Sequence, residues 1–157
     1  MYERKQLTKH QLEKKLQELK KENKTIVTLN GSFDLLHAGH LHILKEASEQ
    51  ADVLIVALNT DASIKRYKGP KRPICTLKDR MAMIAALECV SYVTSFDEDT
   101  PIELLKQIRP NVHVNGSEYG ADCIEADIVK ACGGHVHIVQ LVPGLSTSKL
   151  LEKIQCV

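Results

Sequence analysis

Neither sign of charge is in excess: 21 Lys and Arg stand against 20 Asp and Glu, a formal net charge of +1. Near-neutrality gives no whole-molecule attraction to nucleic acid or an anionic membrane. With no basic recognition helix either, a DNA-binding role has no support. Any phosphate binding must come from local arrangement. No two of the five cysteines, Cys75, Cys89, Cys123, Cys132 and Cys156, are spaced as C-x-x-C, and five is an odd number. That argues against a zinc site or a disulfide framework, and scattered reduced thiols suit the cytoplasm. No apolar run approaches the roughly 18 residues of a membrane span. Residues 1–24 are charged and lack the apolar core of a signal peptide. Internal repeats, low-complexity tracts and linkers are also missing.

What is present fits one globular domain over residues 1–157, with residues 1–24 as a helical N-terminal extension. Apolar residues make up 43% and charged residues 26% of the chain, ordinary for a soluble protein. A chain this long buries roughly two-thirds of its unfolded surface without cross-links. Thr8 can cap a helix over 8–22, whose narrow stripe of Leu12, Leu16 and Leu19 among charged residues suits the surface. Short apolar runs predict strands at 25–29, 53–58, 90–94, 112–114 and 136–139. The run V-L-I-V-A-L at 53–58 is almost wholly apolar, as in a strand covered on both faces. Helical patterns fall at 40–50, 77–88, 101–109 with Pro101 at its first position, 122–132 and 146–154. Residues 65–73, K-R-Y-K-G-P-K-R-P, are basic and broken by Gly and Pro, and read as a mobile loop. Strands alternating with helices predict an α/β fold: a Rossmann-like domain with a five-stranded parallel sheet and helices on both faces. Such sheets bind ligands at the carboxyl ends of their strands, where strand order reverses.

The turn after the first strand reads Asn30-Gly31-Ser32-Phe33-Asp34-Leu35-Leu36-His37-Ala38-Gly39-His40. Gly31 lets backbone approach a ligand closely. His37, Gly39 and His40 fall at a helix start, where free N–H groups and the positive end of the dipole suit a phosphate. Imidazoles three residues apart share a helical face. Donors converging there would stabilise the charge of phosphoryl-type transfer. The residues alone leave other readings open: a capping or surface histidine, or two metal ligands, although no third ligand has an obvious spacing and no metal site is assigned.

G-S-F-D-L-L-H-A-G-H resembles the G-x-F-D-x-x-H-x-G-H signature of cytidylyltransferase-like nucleotidyltransferases. Thr76–Arg80 and Gly144-Leu145-Ser146-Thr147-Ser148 are similar to two further segments of that pattern, the latter to G-x-S-T-T. Within the superfamily the chain resembles the D-glycero-β-D-manno-heptose 1-phosphate adenylyltransferase group over nearly its whole length. The likeness includes E-R-K-x-x-T at 3–8, N-T-D-A-S at 59–63, K-G-P-K-R-P at 68–73, A-L-E-C-V at 86–90 and F-D-E-D-T-P at 96–101. In some relatives the domain is fused behind a sugar kinase, so a stand-alone form is expected here.

The resemblance implies transfer of AMP from ATP, with Mg²⁺, to the sugar phosphate, and a homodimer. It implies that His37 and His40 contact the ATP phosphates. Gly31, Ser32, Phe33, Gly39, Ser146, Thr147 and Ser148 would line the nucleotide site. Asp34 would orient the site or approach the metal, unless it only forms the turn. Lys68, Lys71 and Arg72 would close on phosphates from the loop. Arg80 would pair with phosphate bidentately, or else form a surface salt bridge. Cys75 and Ser32 are not needed as nucleophiles.

Three departures stand out. CTP-using relatives carry Arg where this chain has Leu141 and Glu88, which argues for adenine. The heptose group's K-G-G-D-Y is here Asn115-Gly116-Ser117-Glu118-Tyr119, so Asn115, Gly116 and Tyr119, taken as nucleotide contacts, act without the usual Lys and Asp. The alternatives are a cytidylyltransferase acting on glycerol 3-phosphate or another polyol phosphate, and a nucleotide-binding module without activity.

Overall fold

The computed structural model describes residues 1–120 and 122–157. Five parallel strands, β1 (Ile26–Gly31), β2 (Val53–Asn59), β3 (Tyr92–Phe96), β4 (Val112–Gly116) and β5 (His135–Val139), lie in the order β3-β2-β1-β4-β5. Among the described residues seven α-helices connect or flank them: α1 (Lys9–Lys21), α2 (Ala38–Ser48), α3 (Asp61–Lys68), α4 (Leu77–Ala85), α5 (Ile102–Ile108), α6 (Ala126–Ala131) and α7 (Thr147–Gln155). This is the expected Rossmann-like α/β sheet. The chain builds outward through β2 and β3, then returns to place β4 on the other side of β1. The reversal therefore lies between β1 and β4, and a crevice opens at their carboxyl ends.

Alternation along the strands divides the core between the sheet's two faces. Val27, Leu29, Leu54, Val56 and Leu58 pack with Leu44 and Ala47 of α2 and Ile84 and Ala85 of α4. Ile26, Val53, Ile55 and Ala57 pack with Leu12 and Leu19 of α1 and Leu104 and Ile108 of α5. All seven residues of β2 are buried, as its apolar run requires. Thr8 caps α1 through a reciprocal pair of bonds with Gln11. The leucine stripe of α1 is driven under the sheet while its charged faces stay in water. The Leu7 N–H donates to the Val93 carbonyl at 2.8 Å, tying the entry to α1 onto the sheet edge.

Several boundaries differ from the sequence expectation. The supposed loop at 65–73 is helix up to Lys68. Thr60 caps α3 by accepting from the Ser63 N–H, Asp61 sits in its first turn, and Ile64 is fully buried beneath it. One buried apolar side chain and a good cap outweigh a basic sequence. The strand expected at 90–94 is shifted to 92–96, because α4 ends at Ala85 and Val90 fills the core from the connecting turn. Pro101 sits one residue before α5 rather than at its first position, and α6 begins at Ala126, later than 122.

Candidate active site

The crevice divides into two cavities of about 550 and 540 Å³. Asn30, Gly31, Ser32, Lys68, Asn115 and Tyr119 line both, forming the wall between them.

The first cavity is framed by the turn after β1 and by two helix starts. His37 is the N-cap of α2: its Nδ1 accepts from the Gly39 N–H at 3.1 Å. In the neutral ring that bond places the proton on Nε2, which is then a donor. The His37 and His40 rings stack with centroids 3.8 Å apart. Burial lowers the pKa of His37; burial, then the neighbouring His37, pushes His40 down to about 4. Both rings are therefore neutral hydrogen-bonding groups near pH 7. Gly39 is required sterically, because a Cβ there would sit 2.9 Å from the His37 ring and 3.2 Å from Leu145 Cβ. A Cβ on Gly31 would meet the Phe33 ring at 3.1 Å. Phe33 itself takes the left-handed conformation, φ 48°, a strained turn of the kind held at functional sites.

On the opposite wall, Ser146 caps α7 by accepting from the Lys149 N–H at 3.2 Å. Ser146, Thr147 and Ser148 line the cavity together with Ile43, Leu141, Val142 and Leu145. Two helix N-termini thus face one space, doubling the electropositive backbone available to an anion. Three buried polar atoms around this cavity, Asn30 Oδ1, His40 Nδ1 and Arg72 Nη2, have no hydrogen-bond partner among the described residues. Such clustering marks a surface made for something other than folding.

Asp34 does not reach the cavity. Its side chain is fully buried and accepts from the Ile74 N–H at 2.9 Å, the Cys75 N–H at 2.8 Å and Arg72 Nε at 2.9 Å. Burial works against its charge, but the Cys75 and Ile74 amides and the Arg72 guanidinium outweigh it and hold the pKa below the usual carboxylate value. Asp34 thus pins the segment after α3 and holds the Arg72 guanidinium. Among the described residues no group of three His, Cys, Asp or Glu side chains is placed to hold a metal ion.

Arg80 is a correction. It is 1% exposed and lines neither cavity. Its guanidinium donates to the Ser32 carbonyl at 2.7 Å, to Asp61 Oδ1 at 2.7 Å and to the Cys75 carbonyl at 3.0 Å. It buttresses the Ser32 turn instead of pairing with phosphate. Lys71 is exposed and lies outside both cavities, so it too is not assembled into the site. Lys68 is assembled, from the last turn of α3, with Nζ 3.4 Å from Ser32 Oγ. Burial, then the nearby Arg72, lowers its pKa. Glu88 also lies outside both cavities, which leaves Leu141 alone as the sequence clue to the base.

The second cavity was missed as a site. Asn59, Arg66, Tyr67, Phe96, Asp99 and Glu125 are among its walls. A signal existed: N-T-D-A-S begins at Asn59 and F-D-E-D-T-P contributes Phe96, Asp99, Thr100 and Pro101, and both segments resemble the heptose group specifically.

The Cytidylyltransferase-like family model matches residues 28–153. The chain belongs to the cytidylyltransferase-like family. Membership places it among nucleotidyltransferases. It is 49% identical over 154 residues to the "Bifunctional protein HldE" of Pseudomonas entomophila, covering 98% of this chain and 33% of that protein. The Azotobacter vinelandii protein of the same name is 54% identical over 131 residues, covering 83% and 28%. The chain spans about a third of the length of these curated relatives. A crystal structure described as the lipopolysaccharide core biosynthesis protein from Thermoplasma volcanium GSS1 superposes with a TM-score of 0.61 at 30% identity, covering 76% of this chain and 97% of that one. For this cytidylyltransferase-like chain, the segment 28–153 contains every residue of the first cavity.

Proposed function

We propose that this cytidylyltransferase-like chain transfers the adenylyl group of ATP to D-glycero-β-D-manno-heptose 1-phosphate, giving ADP-heptose and pyrophosphate. The observation that carries the reading is the convergence of two helix N-termini, His37, His40, Lys68 and Arg72 on one cavity at the strand-order reversal. A phosphate oxygen of the acceptor attacks the α-phosphorus of ATP in line. A new P–O bond forms, the bond from that phosphorus to the α–β bridging oxygen breaks, and the electron pair leaves with pyrophosphate. The neutral imidazoles donate hydrogen bonds to the reacting phosphates, and Lys68 and Arg72 offset charge as it develops. No side chain bonds to phosphorus. Cys75, whose thiol pKa is raised by burial, lies outside both cavities. Mg²⁺, brought with ATP, would offset charge on the triphosphate.

Leu141, Val142, Leu145 and Ile43 give the first cavity an apolar end for the base. Leu141, standing where CTP-using relatives have Arg, supports adenine. The second cavity supports a sugar phosphate acceptor, because the segments resembling the heptose group line it. Likeness to HldE proteins and to a lipopolysaccharide core biosynthesis protein points the same way. No helix of the described residues is long and apolar enough to cross a membrane, and all five cysteines are free. Those thiols support a cytoplasmic enzyme. The homodimer rests on family resemblance, and sedimentation would test it.

A coupled pyrophosphate assay with heptose 1-phosphate, run with ATP and with CTP, tests the assignment. Release with ATP is expected. Release only with CTP, or only with glycerol 3-phosphate as acceptor, overturns it.

A further inference from the structure

Glu125 is 7% exposed, yet it lines the second cavity. It stands immediately before α6 but makes no side-chain capping bond there. Its side-chain partners among the described residues are Asn115, 6% exposed, whose Nδ2 donates to Oε2 at 3.4 Å, and the neighbouring Cys123 thiol. A buried carboxyl normally has a cation or several donors. Here one long amide bond and a thiol, a weak donor, hold it, and the lysine expected at position 115 from the K-G-G-D-Y pattern is replaced by that amide. Acceptor capacity is left over on a group facing a cavity.

The charge layout of the cavity gives that capacity a direction. Arg66 and Asp99 pair with each other, Nε to Oδ1 at 3.1 Å. That leaves Lys68 as the cation, on the wall shared with the first cavity, and Glu125 as the acid within the second. An acceptor that is phosphate at one end and hydroxyl at the other fits only one way. Its phosphate is drawn to Lys68, beside the nucleotide, and repelled from Glu125; its hydroxyls donate to Glu125.

We propose that Glu125, held by Asn115, is a specificity-determining residue that binds the hydroxyls of a polyhydroxylated sugar phosphate and so fixes which end of it meets the nucleotide. The proposal rests on the transfer reading for the nature of the acceptor. Its test is separable: calorimetry of heptose 1-phosphate binding in the presence of α,β-methylene-ATP, on wild type, Glu125→Gln and Asn115→Ala. Losing a charge-assisted hydrogen bond weakens affinity for the sugar phosphate about tenfold or more in Glu125→Gln, with a smaller loss in Asn115→Ala. In Glu125→Gln, whose position lines only the second cavity, affinity for the ATP analogue stays within about twofold of wild type, which also shows that this variant is folded. Unchanged sugar phosphate affinity in Glu125→Gln, or equal losses for both ligands in that variant, overturns the proposal, as does wild type that fails to bind the sugar phosphate. A wild type that binds it, loses it in Glu125→Gln, but releases no pyrophosphate with ATP leaves this site standing and sinks the transfer reading instead.

Discussion

The two cavities share a wall but are assembled in opposite ways. Much of the first comes from short, sequence-local pieces, 29–43 and 141–148, whose glycines, caps and histidines act within a few residues of each other. Gly39 exists to make room for the His37 ring, and His37 caps the helix that carries His40. The second draws on residues from 30 to 125, none repeating a spacing that the chemistry itself would dictate. One cavity is cationic and rich in backbone N–H groups, built to stabilise charge. The other mixes carboxamides, the Arg66–Asp99 ion pair, the Glu125 carboxyl and an aromatic rim, groups suited to discriminating between acceptors. The difference predicts a division of labour: damage to the first should strike the rate, damage to the second the choice of acceptor.

The largest expected effect tests the first half of that division. His37→Ala or His40→Ala should lower kcat by about 10²–10³-fold, with the KM for the sugar phosphate changed by less than about threefold. Steady-state pyrophosphate release measures both, and a full-rate His37→Ala enzyme would remove the imidazoles from the mechanism. Gly39→Ala should follow at about 10²-fold in kcat, since the new methyl must displace the His37 ring. Retained activity there would mean that the ring has room to move.

The next variant strikes the support beneath the cavity. Asp34→Ala strands the Arg72 guanidinium and two amides, so denaturant unfolding should show a loss of about 3 kcal/mol. A loss below about 1 kcal/mol would show that the segment 72–75 is held by other means.

The smallest effect concerns pH. His113, two residues before Asn115 on β4, is fully buried, with Nδ1 2.7 Å from Thr28 Oγ1 and Nε2 without a partner among the described residues. Burial pushes its pKa down to about 4, against the opposing influence of Glu125. The unfolded chain takes up a proton near pH 6.5, and the folded chain does not until about pH 4. Stability is therefore complete above pH 6.5 and falls between 6.5 and 4, by at most about 3 kcal/mol for this ring. His40 acts in the same direction, and Asp34 adds a further loss below about pH 4. His113→Gln should lose visibly less stability than wild type between pH 7 and 4.5 in denaturant titrations. An equal loss would exclude His113 as a source of the slope.

The same contrast explains what could be read from sequence. The sheet was legible because apolar runs such as 53–58 carry their own period, and the first cavity because its motif is contiguous. Helix α3 was not, since Ile64 alone signals burial in a run of charges. The place of Arg80 was not legible, because its type is the same whether it meets a phosphate or three protein oxygens; only its burial, set by Ser32, Asp61 and Cys75, decides. Glu125 was invisible because its meaning depends on Asn115, ten residues away on another element.

The most direct test of the account is a ³¹P NMR time course with wild-type enzyme, MgATP and heptose 1-phosphate. The account predicts that ATP and sugar phosphate signals fall together as pyrophosphate and a nucleoside diphosphate sugar appear in equal amounts. ADP with inorganic phosphate or a doubly phosphorylated sugar, or an unchanged spectrum, would contradict it.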